Sequence, residues 1–296
     1  MHNLKLPKGK IDVVIDTAIA VGYYMECDEQ FAIGYMLNEE KFNIKAFYLD
    51  LTQNDHWYSC RYNAVKDLLI ATDNEDKCSL IKKGGNRRLD ISNPEKSESV
   101  LDLIERAKKY SKENPLYVFA IGTMTNIGTA LLLDPSIAEN IVIMWVGGHS
   151  FDHYDTDEYN LKSDFAAAKI VLESDVPLIL VPCMGVSSKL VVSTDECVEA
   201  LDGKNALGDY IIDYLHKMAP NEENFKAMKR IIWDGVGPAL FLQNEQELVQ
   251  YEIADRPTVS DDKHWVFNND GRKIIYAKDI NAEKLKEHMF EHLKNK

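Results

Sequence analysis

This sequence of 296 residues lacks the features that mark disulfide-rich, membrane-spanning and secreted proteins. It has only five cysteines, which lie far apart and form no CxxC pair, so we expect reduced thiols in a cytoplasmic protein rather than a disulfide framework. No apolar run approaches the length of about 18 residues that marks a membrane-spanning helix. The basic N-terminus, MHNLKLPKGK, leads directly into an apolar segment of only a strand's length, which argues against a signal peptide or membrane anchor.

Positive charge is scarce as well. The formal net charge is −14 and the pI is close to 5.0. Because binding to a phosphate backbone needs a basic face, we expect no nucleic-acid partner. The longest basic cluster, Lys82, Lys83, Arg87 and Arg88 around two glycines, is short and is more typical of a solvated loop.

No Pro/Gly-rich linker, internal repeat or low-complexity tract divides the chain, so we predict a single domain over residues 1–296. Strand patterns alternate with helical patterns, which predicts an α/β fold with one open, mostly parallel sheet and helices on both faces. The predicted helices cover residues 28–38, 59–72, 97–112, 126–140, 163–174 and 205–230. The chain is expected to end in a β-hairpin, with HWVF and KIIYA on either side of NNDG, and a charged amphipathic helix.

Four of the predicted strands share one further property. A small cluster of polar or acidic residues follows each of the four apolar runs IDVVID, PLYVFAIG, NIVIMWVGG and VPLILVP. In an open parallel sheet the carboxyl ends of the strands form the ligand crevice. We therefore expect these clusters to meet at one edge of the sheet.

The first of these clusters is acidic. Asp16 and Thr17 end the first strand, and Glu26, Asp28 and Glu29 stand around the start of the next helix. Carboxylates in this arrangement are able to hold a hard divalent cation through oxygen ligands. Helix N-termini also attract acidic residues for capping and dipole reasons, so Asp28 as an ordinary N-cap is the alternative.

Three further clusters follow the later strands. The turn at residues 122–126 (GTMTN) supplies carbonyls and hydroxyls, either for a ligand or for a helix cap. Glu158 and Asn160 are two residues apart, so in an extended segment both side chains point the same way and suit a polyhydroxylated ligand; a solvated loop is the alternative. Asp234 opens an apolar segment, as a ligand or as an N-cap.

In their order, these clusters resemble the motifs of the inosine-uridine preferring nucleoside hydrolase family over nearly the full chain. That family opens with a loop of the form DTDxGxDDAxA, and the counterpart here is Asp16-Thr17 followed, after about five extra residues, by DEQFA at residues 28–32. The later matches are TQN at 52–54 to TxxGN, GTMTN at 122–126 to GPLTN, LDP at 133–135, GG at 147–148, EYN at 158–160 to AEFN, and WDGVGPA at 233–239 to HDPLAVA.

The resemblance implies a Rossmann-like nucleoside hydrolase fold and hydrolysis of ribonucleosides to ribose and free base, a reaction of purine and pyrimidine salvage. It also implies a Ca²⁺ ion that binds the ribose hydroxyls and a water, while a carboxylate takes the proton of the water. Carried over by position, the metal ligands are Glu29, Thr125 (through its main-chain oxygen) and Asp234, and the ribose-binding residues are Asn54, Glu158 and Asn160. Family members are commonly dimers or tetramers, so we expect a homo-oligomer that binds a small-molecule nucleoside.

The sequence departs from the family pattern at four positions. Ala18 stands in place of the second aspartate of DTD, which is both a metal ligand and the proposed base, and Glu29 is one methylene longer than the aspartate it replaces. Trp233 takes the place of the histidine that is credited with protonating the leaving base, and Asp152 stands where an asparagine is usual. A methyl group neither coordinates calcium nor accepts a proton, so the ordinary mechanism cannot operate unchanged.

Two interpretations follow from these departures. In the first, the chain is a divergent nucleoside hydrolase in which the catalytic candidates are Asp16 and the loop carboxylates Glu26 and Asp28, one of the latter replacing the missing aspartate. In the second, it is a catalytically weak or inactive homologue that binds a nucleoside or a ribose-like ligand. In both, Trp233 forms a stacking wall for the nucleobase, and Asp152 is grouped with the substrate-binding residues.

Overall fold

The computed structural model describes residues 5–19 and 26–295. Within them the strands are β1 (Ile11–Thr17), β2 (Phe42–Leu49), β3 (Ile81–Lys82), β4 (Leu116–Ile121), β5 (Ile141–Val146), β6 (Leu178–Val181), β7 (Val191–Ser193), β8 (Lys229–Ile231), β9 (Val249–Asp255), β10 (Pro257–Val259), β11 (Trp265–Phe267) and β12 (Lys273–Ile280). The α-helices are α1 (Asp28–Leu37), α2 (Asp55–Ala71), α3 (Glu98–Ala107), α4 (Thr125–Leu133), α5 (Tyr159–Ser163), α6 (Phe165–Glu173), α7 (Thr194–Leu201), α8 (Ala206–Met218), α9 (Glu222–Ala227), α10 (Val236–Leu242) and α11 (Ala282–Leu293).

Eight strands form one open sheet in the order β3-β2-β1-β4-β5-β6-β12-β9. Every neighbouring pair is parallel except β12 and β9, which are antiparallel. The predicted open, mostly parallel sheet is confirmed. The strand order reverses direction between β1 and β4, and in sheets of this kind ligands bind outside the strand ends at that point.

The sheet is buried on both faces, as the apolar strand sequences require. Successive residues of a strand point to opposite faces, and in β1 Val13 and Ile15 join one core while Val14 joins the other. Helices α1, α2, α7, α8, α10 and α11 contribute to the first core, and α3, α4 and α6 to the second. Helices therefore cover both faces, as predicted. None of the helices in the described residues is long and apolar enough to cross a membrane.

The C-terminal hairpin exists, but its strands are not the predicted ones. β11, which contains WVF, pairs with β10, whereas β12 lies inside the main sheet between β6 and β9. The reason is burial: Ile274, Ile275, Tyr276 and Ala277 of β12 are all buried, and a central strand provides the two apolar faces they need. The predicted closing helix is confirmed as α11.

Two predicted helices are interrupted. The segment 205–230 splits into α8 and α9 and then turns into strand β8, because Pro220 disfavours helix in the preceding residue and Asn221 caps a new helix by accepting a hydrogen bond from the Asn224 N–H. The segment 126–140 divides at Asp134 into α4 and a short 3₁₀ helix that starts at Pro135. In addition, α2 starts at Asp55 rather than at residue 59, since Asn54 caps it.

One buried amide fixes the strand ends that frame the crevice. The Asn126 Nδ2 donates to Asp16 Oδ2 at 3.0 Å and to the Leu49 carbonyl at 3.3 Å, while its Oδ1 accepts from the Gly85 N–H at 3.3 Å. These bonds hold the ends of β1 and β2 and the loop after β3 against the start of α4. The loop packs closely here, because a Cβ on Gly84 would lie 1.7 Å from the Leu49 carbonyl oxygen.

We expect Gly84→Ala to lower the free energy of unfolding by at least about 2 kcal/mol, because the added methyl group displaces the loop from the end of β2. Urea denaturation measures the change. Gly9→Ala is the matched control, since a Cβ at Gly9 meets nothing within 4 Å. Equal denaturation midpoints for the two variants would contradict the close approach.

Candidate active site

A cavity of about 510 Å³ opens at the carboxyl ends of the sheet strands. Ile121 and Val146 end β4 and β5, and Ala18 and Cys183 follow β1 and β6; all four line the cavity. It thus occupies the place where open α/β sheets bind their ligands. A larger cleft of about 1100 Å³ lies between the residues before β1 and the start of β9. The acidic residues that line this cleft are all exposed, so among the described residues it has no cluster of buried carboxylates.

Three carboxylates converge in the cavity. Asp28 and Glu29 form the first turn of α1, and Asp234 belongs to a short 3₁₀ helix, Trp233–Gly235, that packs against that turn. All three are buried, and one oxygen from each lies within 4.8 Å of the others. We call these residues the carboxylate triad.

The three carboxylates of the triad are buried and close enough to repel one another when they are ionised. Burial, followed by repulsion from Asp28, raises the pKa of both Glu29 and Asp234 well above the usual range. Burial, together with repulsion from Glu26, raises the pKa of Asp28 to about 7. Asp28 Oδ1 is buried and finds no hydrogen-bond partner in the described residues. Carboxylate oxygens in this state fit a hard divalent cation, which would relieve both the repulsion and the unpaired acceptor.

Glu158 and Asn160 lie on a second wall of the cavity. Glu158 caps α5: its Oε1 accepts from the Gly148 and Leu161 N–H groups at 2.8 and 2.6 Å, and its Oε2 accepts from the Asn160 N–H at 2.5 Å. The Asn160 amide donates to the Val146 carbonyl at 2.9 Å. Burial raises the pKa of Glu158 to about 7 in spite of these donors.

Larger side chains form the remaining wall: Trp233, Met184, Tyr159 and His149. The His149 Nδ1 accepts a hydrogen bond of 3.4 Å from the Met184 N–H, which leaves its Nε2 to carry the proton. That Nε2 lies 3.9 Å from Asp155 Oδ1. Burial and the neighbouring His153 lower the pKa of His149, so its protonated form is a stronger acid than an ordinary imidazolium.

A buried arginine stands beside Ala18. The Arg61 Nη1 donates to the Ala18 carbonyl and, at 3.4 Å, to the Ile19 carbonyl. Arg61 is 6% exposed, and its Nε has no partner in the described part of the chain. Its charge acts to lower the pKa of Asp16, Glu29 and Asp50, which places the guanidinium among these acids.

The sequence profile of inosine-uridine preferring nucleoside hydrolases matches residues 64–287, three quarters of the chain. The protein belongs to this family. The match includes Glu158, Asn160 and Asp234, whereas Asp28 and Glu29 precede it.

Solved structures of low sequence identity share the fold. A plant nucleoside hydrolase is 16% identical, with a TM-score of 0.73 over 98% of this chain and 100% of that chain. An inosine-guanosine nucleoside hydrolase is 15% identical, with a TM-score of 0.71 over 96% and 98% of the two chains. A purine-preferring ribonucleoside hydrolase from Gardnerella vaginalis is 17% identical, with a TM-score of 0.70 over 96% and 98%.

The structure brings together seven of the eleven residues selected from the sequence. Glu26, Asp28, Glu29, Glu158, Asn160 and Asp234 all line the cavity, as does Trp233. Glu26 lies at its rim, with a side chain that is 56% exposed and an oxygen 3.5 Å from Arg230. Most of the inserted segment, residues 20–25, lies outside the described residues.

Four other selected residues do not line this cavity. Asp16 is buried behind it, with one oxygen bonded to Asn126 and the other without a partner in the described residues. The Thr125 hydroxyl donates to Asp164 at 2.7 Å, so its side chain points elsewhere, and its main-chain oxygen remains a predicted ligand. Asn54 caps α2 and Asp152 lies on an exposed loop, and their roles in substrate binding also remain predictions.

Sequence reasoning did not select Arg61 or His149. His149 directly follows the Gly147-Gly148 pair at the end of β5, so its position after a strand was a usable signal. Arg61 lies in the second turn of α2, where nothing in the local pattern distinguishes it from a surface arginine.

The raised pKa values predict how stability depends on pH. Asp28 has an unfolded-state pKa of about 4, so between about pH 4 and pH 7 the folded protein binds more protons than the unfolded chain. The contribution of this bound proton to the free energy of unfolding is fully present below the unfolded-state pKa. It is lost as the pH rises through 7, by up to about 1.4 kcal/mol per pH unit.

In the presence of a chelator, the free energy of unfolding of Asp28→Asn should therefore decline less steeply with pH than that of the wild type. Urea denaturation at about pH 5, 6 and 7 measures both slopes.

Asp261→Asn, at a side chain that is 91% exposed, is the control and should keep the wild-type slope. Parallel lines for the wild type and Asp28→Asn would show that Asp28 is ionised throughout this range.

Proposed function

We propose that the protein hydrolyses the N-glycosidic bond of ribonucleosides and releases ribose and the free base. The observation that carries the proposal is that one cavity is lined both by a buried carboxylate triad and by the aromatic side chains of Trp233 and His149. Carboxylates and a bound cation suit sugar hydroxyls and water, while an aromatic surface suits a nucleobase.

The cation is expected to be Ca²⁺, held by Asp28, Glu29, Asp234 and the main-chain oxygen of Thr125. When bound, it supplies positive charge that binds the ribose hydroxyls and lowers the pKa of water. The triad offers fewer protein oxygens than the six to eight that calcium typically takes. Water and substrate hydroxyls are therefore needed to complete the shell.

Asp28 is the best candidate for the base that accepts the proton of the attacking water. Of the three carboxylates considered from the sequence, Asp16 does not line the cavity and Glu26 is exposed and paired with Arg230. Asp28 is buried in the cavity beside Glu29 and Asp234, and its Oδ1 has no hydrogen-bond partner in the described residues, which leaves an oxygen to accept the proton. This assigns to the first residue of α1 the role that Ala18 cannot perform.

His149 is the best candidate for the acid that protonates the leaving base. Trp233 has only an indole N–H, which does not release its proton near neutral pH. His149 lies on the same wall, keeps a proton on Nε2, and is oriented through Nδ1 by the Met184 N–H. Trp233 is left to stack against the base.

A second candidate function is binding without turnover. It is favoured by Ala18, which presents a methyl group to the cavity where the family's base is expected, and by Arg61, which opposes the binding of a cation. Binding of inosine or uridine to the wild-type protein without release of reducing sugar would support it.

Asp234→Asn should lower the release of reducing sugar from inosine or uridine by at least about 100-fold, because it removes one of the three carboxylates that hold the cation. A chelator should reduce the wild-type rate in the same way, and added Ca²⁺ should restore it. The measurement is kcat/KM in a reducing-sugar assay.

The control for this variant is Asp213→Asn, on the surface of α8, where the side chain is 62% exposed. Full activity of Asp234→Asn, or of the wild type with chelator, would exclude a cation-dependent reaction at the triad.

His149→Gln should lower kcat on inosine by about 100-fold, since general acid catalysis typically contributes that much or more. On 4-nitrophenyl riboside, whose leaving group needs no proton, the same variant should retain most of the wild-type rate. His56→Gln is the control, since that side chain is exposed on α2 and does not line the cavity. An equal loss on both substrates would mean that His149 supports the fold of the pocket and does not deliver a proton.

A further inference from the structure

A second cavity, of about 330 Å³, adjoins the first. Ala18, Arg61 and Tyr159 line both, so the two cavities meet at these side chains. We call the cavity with the triad the acidic lobe and the second one the arginine lobe. Nothing in the proposed hydrolysis of a neutral nucleoside uses the arginine lobe.

Three arginines contribute to the arginine lobe. Arg61 reaches it from α2, and Arg87 and Arg88 reach it from the loop after β3. Arg87 is fixed by a 2.8 Å hydrogen bond to the Asn93 carbonyl and lies 3.5 Å from Asp90. Three arginines among ten lining residues are unexpected in a chain whose formal net charge is −14.

Acidic groups balance this positive charge only in part: Asp90 pairs with Arg87, but Arg88 has no ion-pair partner in the described residues. Asp50 is the single carboxylate among its lining residues, and both of its oxygens already accept hydrogen bonds from Thr123, at 2.8 Å from the N–H and 2.7 Å from the hydroxyl. Gln53 and Ser163 add neutral side chains that are able to donate. Arg61 is buried with an unpartnered Nε, as far as the described residues show. The lobe is therefore built for an anion.

Phosphate is the anion that such a group of arginines fits best. A guanidinium presents a planar fork of N–H donors that matches two phosphate oxygens, and these charge-assisted bonds are stronger than neutral ones. A ligand whose sugar lies in the acidic lobe and whose phosphate lies in the arginine lobe would satisfy both.

We propose that the arginine lobe binds the phosphate of a nucleoside monophosphate, so that the substrate is a nucleotide and the products are a ribose phosphate and the free base. This inference rests on the proposed hydrolysis. In the reaction water adds across the glycosidic bond: the bond from C1′ to the base nitrogen breaks and a bond from C1′ to the water oxygen forms. One proton of the water stays on the new C1′ hydroxyl. The other passes to the catalytic carboxylate and replaces the proton that the acid gives to the base nitrogen. The phosphate ester is not broken.

The first test measures binding and does not depend on turnover. Isothermal titration of the protein in Ca²⁺ buffer with ribose 5-phosphate, ribose and inorganic phosphate should show ribose 5-phosphate binding at least about tenfold more tightly than ribose. Arg88→Gln, at an exposed residue whose loss should not disturb folding, should remove most of this difference. Lys66→Gln, an exposed residue on α2, is the control for the loss of one positive charge.

The second test measures turnover. kcat/KM for the 2′-, 3′- and 5′-monophosphates of inosine or uridine is compared with that for the nucleosides, by release of free base. At least one monophosphate should exceed its nucleoside by about tenfold or more, and Arg88→Gln should lower that ratio while Lys66→Gln keeps it.

The two tests separate the two proposals. Tight binding of ribose 5-phosphate without hydrolysis of any nucleoside or nucleotide would support the phosphate subsite and refute the hydrolysis. Hydrolysis of nucleosides with no preference for monophosphates, and no tighter binding of ribose 5-phosphate than of ribose, would refute the subsite. Binding of inorganic phosphate with no gain for ribose 5-phosphate would also refute it, because the lobe would then hold a free anion apart from the sugar.

Discussion

The site depends on holding three carboxylates close together and out of water. Ionised carboxylates that are buried without partners are costly, and Asp28, Glu29 and Asp234 repel one another as well. Two features of the fold offset part of that cost. The first turn of α1 places Asp28 and Glu29 at the positive end of the helix dipole, and the positively charged side chain of Arg61 lies close enough to lower the pKa of Glu29. Bound protons or a bound cation would offset the rest, and binding of a cation at the triad would then release protons.

The surrounding structure is organised to keep that arrangement fixed. All ten residues of α1 are buried, and the 3₁₀ helix that carries Asp234 packs directly against the first turn of α1. On the other side of the crevice, Glu158 accepts hydrogen bonds from three backbone N–H groups, and Asn126 ties together the ends of β1 and β2. Side chains supported in this way are held in place, and burial, followed by repulsion from neighbouring carboxylates, raises the pKa values of Asp28, Glu29 and Asp234.

Much of the fold could be predicted from the sequence, because the signals that define it are local and repeated. Continuous apolar strands such as LYVFAI and IVIMWV indicate a parallel sheet buried on both faces, and the polar residues after them mark the edge that carries the crevice. The partner of β12 could not be predicted in this way. The NNDG turn favours a local hairpin, whereas the burial of Ile274 to Ala277 on both faces, a tertiary effect, places the strand between β6 and β9.

Some residues of the candidate site could be selected from the sequence because they follow strands or match family motifs that occur in the same order along the chain. Glu29, Glu158 and Asp234 are examples. Arg61 and Arg88 were not, since a helix surface and a glycine-rich basic loop are usually solvated, and only the packing of α2 and the loop after β3 against the strand ends brings them to one cavity. His149 follows a strand but had no motif to identify it. Residues that reach a site only through tertiary packing have no local sequence pattern from which their position could be predicted.

Ala18 and Arg61 are in direct contact and line both cavities. With a methyl group at position 18, the Arg61 guanidinium takes the main-chain carbonyls of residues 18 and 19 as acceptors and extends to the boundary between the two cavities. The boundary between the two cavities therefore carries a positive side chain, while the acidic residues of the triad line only the first cavity. A cation at the triad experiences the repulsion of Arg61, and an anion on the arginine side experiences its attraction. The same two residues thus weaken one half of the family's chemistry, cation binding, and give the cavity a polarity that a ligand with hydroxyls at one end and negative charge at the other would complement.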